Sequence, residues 1–392
     1  MVLKPVTAAA VSASNSQLVG PVGGQLGTLT TGSFTRAKCV SPASSGEVCD
    51  TALAWTEVGA LLLSAATANG SGYLGSAKVP WGSVATGPFK PSFLTTELDT
   101  AQPCGTFTYS GQPFRIKVSA MSAANAVLAT SAALTQNYTG TYAKDITLGS
   151  DSAGVCTPTT TGFSNNTLLG AAFPANTGYA SSAPVTNTVA PLPVTYTQSL
   201  AAPAVISVCA KDTDAVNSHG QTQAVLAIRN GRLRLLNAYG SDLLPLRVPV
   251  RTEYFNGTTW TLNLADSCTQ ISANTIQIGS VVQQSGSSLA FGTPPAGISV
   301  PVPPVPTPGQ WTIILTPTTN GAGSADILLN LGGAVTTTGC STLSSPVGGA
   351  IPASTLEYLA GNWCGLSYDK TSTARVKFGS PKAPYIYMRE RY

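Results

Sequence analysis

Apolar and polar residues alternate along this chain with a period of two, and that constrains its fold more than any other feature. Phe114, Ile116 and Val118 alternate with Arg115, Lys117 and Ser119, Leu233 stands between Arg232 and Arg234, and Val248 and Val250 repeat the spacing. A two-residue period places successive side chains on opposite faces of a pleated strand, so each run reads as a strand with one buried face. Breaks fall at Gly240–Ser241 and Asn256–Gly257, residue pairs suited to tight turns.

Composition extends this reading to the whole chain. Only 9% of the 392 residues are charged while 43% are hydrophobic, and 39 Gly and 28 Pro punctuate runs rich in Val, Ile and Thr. Disorder needs low hydrophobicity and high net charge, so this is the signature of many short strands joined by turns. The expectation is an all-β protein of tandem immunoglobulin-like or related β-sandwich domains, with long Pro/Ser/Thr-rich loops. The length calls for two or three units. Three are expected: an N-terminal β domain over 1–90, a sandwich with a long loop over 91–203, and a C-terminal β domain over 204–392. The uncharged stretch Thr157–Pro203 reads as an exposed excursion or connector, and Pro294–Pro308 as an extended polyproline-like loop. No repeat of fixed short period is evident.

Two segments, Gly231–Thr269 and Ala374–Tyr392, resemble the C-terminal domain of the MSHA pilin biogenesis protein Q type, a surface-protein family encoded beside type IV pilus machinery. Cys104–Tyr142 is similar to the family's Cys-Gly-x-Phe-Thr-Tyr, Gly-Gln-Pro-Phe and Asn-Tyr-x-Gly motifs, and Trp55–Gly75 to its Glu-Val-Gly and Tyr-Leu-Gly motifs. The resemblance covers residues 50 to 392. It implies a place at the cell surface and partnership with pilin or minor pilin subunits, and no reaction.

The eight cysteines, Cys39, Cys49, Cys104, Cys156, Cys209, Cys268, Cys340 and Cys364, form no CxxC pair, and His219 is the sole histidine. Zinc sites cluster such ligands at short spacing, so disulfides are the better reading and no metal is expected from the thiols. Pairing in sequence order suits strands of one sandwich, giving Cys104–Cys156 and Cys209–Cys268. Eight cysteines nevertheless allow roughly a hundred pairings. An even count points to an oxidising compartment, the periplasm or the outside of a cell.

Catalytic constellations are sparse. His219 sits in NSHGQT without a nucleophile elbow, and reads as a turn histidine. The carboxylate pairs available for acid–base chemistry are Glu253 with Asp266 and Asp212 with Asp214, neither flanked by sugar-gripping aromatics. The run Asp212–Ser218 places Val216, Asn217 and Gln223 where an EF-hand needs an oxygen ligand, a glycine and a glutamate. Asp212, Asp214 and Asn217 remain a weak calcium candidate against an Asx-turn reading. No cofactor is otherwise expected, and no catalysis.

Arg229, Arg232, Arg234, Arg247 and Arg251 face only Asp242 among acids between them, and a second basic run closes the chain. A surface basic ridge of Arg232, Arg234, Arg247 and Arg251 would favour an anionic polysaccharide, lipopolysaccharide or acidic protein. The alternative is a solvated sheet face whose arginine stems cover apolar surface. Nucleic acid is not expected at a net charge of +4.

The longest apolar run, Val58–Ala68, is too short and too interrupted for a membrane span, and the opening residues make a poor secretory signal. An export signal and anchor are therefore expected upstream. Alternation through Tyr385, Ile386, Tyr387 and Met388 predicts a built-in terminal strand. The expected protein is extracellular and reaches the bacterial cell surface through the periplasm. The resemblance implies that it serves there as an adhesin or pilus-assembly partner. The rivals are a carbohydrate-binding module for surface glycans, with Trp81, Trp260, Trp311 or Trp363 lining one cleft, and a structural spacer or filament component.

Overall fold

A computed structural model of the chain describes residues 2–3, 16–19, 27–31, 48–49, 53–65, 82–124, 126, 129–152, 155–157, 162–174, 177–181, 194–301, 308–331, 343–348, 354–361 and 373–379. The protein is all-β, with short 3-10 turns as the helical elements. It forms two compact units with interleaved segments, whereas the expected segments 1–90, 91–203 and 204–392 are consecutive. The first unit takes Met1–Thr100, Pro113–Thr195 and Ile206–Leu226, and the second takes Ala101–Gln112, Tyr196–Val205 and Ala227–Tyr392.

In the first unit the central strand Ile116–Met121 pairs antiparallel with Phe93–Leu98 on one side and Tyr179–Ser181 on the other. The predicted alternation holds for Phe114, Ile116 and Val118, which are buried, and for Arg115, which is exposed. Ser119 is buried as well, with Thr95 and Tyr179 as its cross-strand neighbours. The strand Ile146–Ser152 pairs with Val155–Thr157, with Thr167–Leu168 and with residues 208–212 of the following long strand. The stretch after Thr157 is more than an exposed excursion. Phe163, Leu168, Phe173 and Ala180 are buried, because apolar residues recur there often enough to anchor short strands.

The second unit is a two-layer sandwich. One sheet orders Gly231–Leu235, Leu246–Phe255, Gln310–Leu315 and Ile298–Ser299, with Trp260–Leu262 returning as a hairpin on Leu246–Phe255. The facing sheet orders Ala238–Gly240, Thr373–Phe378, Gly323–Leu329, Ile276–Gln283 and Val347–Gly348. Ala238–Gly240 and Thr373–Phe378 run parallel, while the other pairings of this sheet are antiparallel. Leu233, Leu235, Val248, Val250, Ile313 and Leu315 from the first sheet share a core with Ile276, Ile278, Ile327, Leu329, Val376 and Phe378 from the second. Burying a side chain of that kind stabilises by roughly 1.5–3 kcal/mol, so this shared core is what joins the layers. Phe107, Tyr109, Leu356 and Leu359 belong to the same core.

The turns fall where expected. Gly257 has φ +105, a conformation L side chains rarely adopt, and Asn256 Oδ1 accepts from the Thr258 and Thr259 amides. Pro295 begins a turn whose carbonyl accepts from Ile298, and residues 302–307 of the predicted polyproline loop lie outside the described residues. So does the predicted terminal strand with Tyr385 and Tyr387.

Candidate functional site

The strand Gly231–Leu235 turns Leu233 and Leu235 into the sandwich core, which leaves Arg232 and Arg234 on the outer face. On the neighbouring strand Leu246, Val248 and Val250 point inward, so Arg247, Arg251 and Glu253 share that outer face. The register sets Arg232 opposite Glu253, Arg234 opposite Arg251, and Arg247 opposite Ile314. All four arginines of the predicted ridge thus occupy one sheet face.

Three of them converge on Glu253. Arg232 reaches Oε2 at 2.6 Å through Nη2 and 2.7 Å through Nε, Arg251 Nη2 reaches Oε1 at 2.6 Å, and Arg234 Nη1 lies 3.4 Å from Oε1. Their stems cover the carboxylate, whose side chain is 2% exposed although it stands on the outer face. Arg232 also stacks over Trp260, 4.3 Å from the ring centroid. Burial lowers the Arg232 pKa, and Glu253 pulls it back up. The side chain of Arg234 is 42% exposed, and Arg247 is exposed with no polar partner among the described residues. Among the described residues of this face one carboxylate stands against four guanidinium groups, an excess of positive charge.

Glu253 and Asp266, a carboxylate pair weighed for acid–base chemistry, have different partners, Glu253 its arginines and Asp266 a separate set of buried donors. Asp266 is 1% exposed and accepts from the Tyr109 hydroxyl at 2.8 Å, the Thr269 hydroxyl at 2.7 Å, and the Cys268 and Thr269 amides at 3.0 Å each. Asn263 Nδ2 donates to the Tyr109 oxygen at 2.6 Å, which completes a closed knot. Burial first, and then the Asp266 charge, push the Tyr109 phenol far above its usual range. Gln112 and Tyr358 adjoin this knot, with Gln112 Nε2 donating to the Tyr358 oxygen at 3.2 Å.

The first unit carries a similar knot. The Tyr138 hydroxyl donates to Asp212 Oδ2 at 2.8 Å, and the Val216 amide to Asp212 Oδ1 at 2.8 Å. Asp212 is thereby turned inward, and Asn217 Oδ1 accepts from the His219 amide. Both are held by a tight turn, in which Ala215 has φ +66 and the Asp212 amide donates to the Val216 carbonyl. The calcium candidate Asp212, Asp214 and Asn217 is accordingly a turn whose first carboxylate already has its donors. A cleft of about 320 Å³ lies beside it, lined by Lys90, Phe93, Asp214, Asn217, His219 and Gln221 among others. His219 Nδ1 lies 3.0 Å from both carboxylate oxygens of Asp151, which also accepts from Gln223 Nε2 at 2.6 Å. The His219 contact, more than any other, holds the Asp151 pKa below its ordinary value.

The disulfides correct the sequential pairing. Cys104 bonds Cys268 and Cys156 bonds Cys209, with Cα atoms 4.8 and 5.7 Å apart. Cys104 lies in Ala101–Gln112, a segment of the second unit, and so finds Cys268 rather than Cys156. Cys39, Cys340 and Cys364 lie outside the described residues, as do Trp81 and Trp363. Trp260 and Trp311 line no common cleft, because Trp260 pairs with Phe255 on the outer face and Trp311 packs on the core. Sequence reading missed Tyr109, Tyr138 and Glu57, the last accepting from the Gln136 and Asn137 amides at 3.0 and 2.9 Å. The motif Cys-Gly-x-Phe-Thr-Tyr did contain Tyr109, without marking its partner.

Comparison with known proteins places this scaffold in a class of multidomain proteins. Residues 57–224 match the third domain of DUF6701 and residues 229–391 its fourth domain. The chain belongs to the DUF6701 family. No curated protein matches it. Among solved structures it is similar to the Yersinia pseudotuberculosis adhesin InvE at 10% identity and a TM-score of 0.18, covering 73% of this chain and 58% of that one. The chain thus spans less than two thirds of that structure's length. No described helix is long and apolar enough to cross a membrane.

Proposed function

We propose that this chain is an exported, non-catalytic part of a bacterial cell-surface protein that works with a type IV pilus of the MSHA kind, as adhesin or assembly partner. The observation that carries the reading is that, among the described residues, each unit holds a disulfide and a buried tyrosine–carboxylate knot. Oxidised cysteines belong to an extracytoplasmic protein, and such knots make rigid scaffolds. The carboxylates weighed for chemistry, Asp212, Glu253 and Asp266, are each enclosed by structural donors, so they support a framework role. The pilus link rests on the resemblance of residues 104–142 and 231–269. Shearing pili from a strain that makes the protein tests it. The protein should copurify with the pilus fraction and be lost from it when the pilin gene is deleted. Recovery independent of pilin sinks the pilus assignment. Turnover of a glycan, peptide or ester by the pure protein sinks the non-catalytic one.

A second reading, a carbohydrate-binding surface module, is favoured by one observation, the arginine face with Trp260 set into it.

A further inference from the structure

Directly opposed like charges destabilise a sheet, yet Arg234 stands opposite Arg251 with Arg247 on the same face. A sheet selected for stability alone would alternate signs there, and departures from local rules concentrate at functional positions. The single carboxylate is already shared: Arg232 and Arg251 hold its two oxygens at 2.6 Å, while Arg234 reaches only to 3.4 Å. Arg234 and Arg247 are therefore the cations left to an outside anion. Arg247 lies four residues from Arg251 along the strand, about 13 Å at ~3.3 Å per residue. Between them on that face stand Pro249 and, opposite it, Thr312, with no charge to bar a ring.

We infer that this face binds an extended acidic polysaccharide, with carboxylate or sulfate groups at Arg247 and at Arg234–Arg251 and an intervening sugar ring over Pro249 and Thr312. This rests on the reading that the chain works at a cell surface. Charge complementarity selects a polyanion. The strand carrying Arg247 and Arg251 is paired on both sides, by Gly231–Leu235 and Gln310–Leu315, so its backbone groups are occupied. An acidic peptide laid across it would gain no main-chain hydrogen bonds, whereas a glycan needs none.

The test measures binding of the full chain to immobilised alginate, dextran sulfate, polyglutamate and uncharged dextran at low and moderate salt. The wild type should bind alginate or dextran sulfate, more weakly as salt rises, and bind polyglutamate and dextran less. R234Q/R247Q should lose about tenfold in affinity while its melting temperature stays within about 4 °C of the wild type's. The control R115Q/K377Q removes the same charge from exposed positions elsewhere and should bind as the wild type does. Equal loss in the control means bulk charge alone and overturns the site. Polyglutamate held as tightly as the glycans overturns the ligand class, and no glycan binding at all overturns the proposal. Pilus copurification is scored on the same proteins, so failure of the glycan site and failure of the pilus assignment are read separately.

Discussion

The Tyr109 hydroxyl donates to Asp266 across 157 residues of sequence at 2.8 Å, with both side chains essentially closed to solvent. Hydrogen bonds to a charged partner contribute about 1.5–3 kcal/mol, and a buried acceptor left without its donor costs its full desolvation. Tyr109→Phe should therefore destabilise the second unit by about 2–3 kcal/mol. Urea unfolding followed by tryptophan fluorescence measures it, and a loss below half a kcal/mol would show that Asp266 is satisfied by its amide donors alone.

Glu253 and its arginines give an asymmetric pair of outcomes. Glu253→Gln removes the carboxylate beneath three guanidinium groups and should cost about 3 kcal/mol, since it leaves Arg232 buried without a counter-charge. Arg234→Gln breaks only a loose, solvent-screened contact and should cost under about 1 kcal/mol. Comparable losses from the two would contradict this account of the cluster.

The pH dependence of the first unit has a definite sign. Burial raises the pKa of Asp212 and of Glu57 above their ordinary values, outweighing their hydrogen bonds. Between the unfolded pKa and the raised one, the folded state holds more protons. Their contribution is most favourable below the unfolded value and falls as pH rises through the raised one. Asp151 acts oppositely, its contribution being present above the unfolded pKa and lost as pH falls through the depressed one. Melting curves of the wild type and Asp212→Asn from acid to neutral pH should converge at the acid end and diverge as pH rises. Parallel curves would deny the Asp212 part.

Disulfide mapping under non-reducing conditions should recover peptides joining Cys104 to Cys268 and Cys156 to Cys209. Removing the first should cost about 5 kcal/mol and the second about 4, because the longer loop loses more unfolded-chain entropy on closure. Recovery of a Cys104–Cys156 peptide from native protein would reject this connectivity.

What could be read from the chain beforehand was local. Alternation placed Leu233, Val248 and Ile116 on inner faces and their arginine and lysine neighbours outside, and Asn256–Gly257 marked its turn. These depend on residues a few positions apart. Pairings set by topology could not be read in this way. Nothing near Asp212 announces Tyr138, 74 residues earlier. Likewise, nothing in the strand pattern shows that three stems will close over Glu253 and bury a residue whose alternation assigns it to solvent. The order of cysteines suggested neighbours, and the interleaving of the two units gave other partners.

That interleaving has a consequence for how the polypeptide is made. Of the four cysteines in the described bridges, Cys104 emerges first, then Cys156 and Cys209, and Cys268 last, so these two bridges are nested. An oxidase joining cysteines as they emerge would seal Cys104 to Cys156 and strand both units. The protein must either keep Cys104 reduced until more than 160 further residues have appeared or be repaired by a disulfide isomerase. For the same reason no single cut yields two intact halves: a fragment ending at Leu226 carries Ala101–Gln112 without the unit it completes.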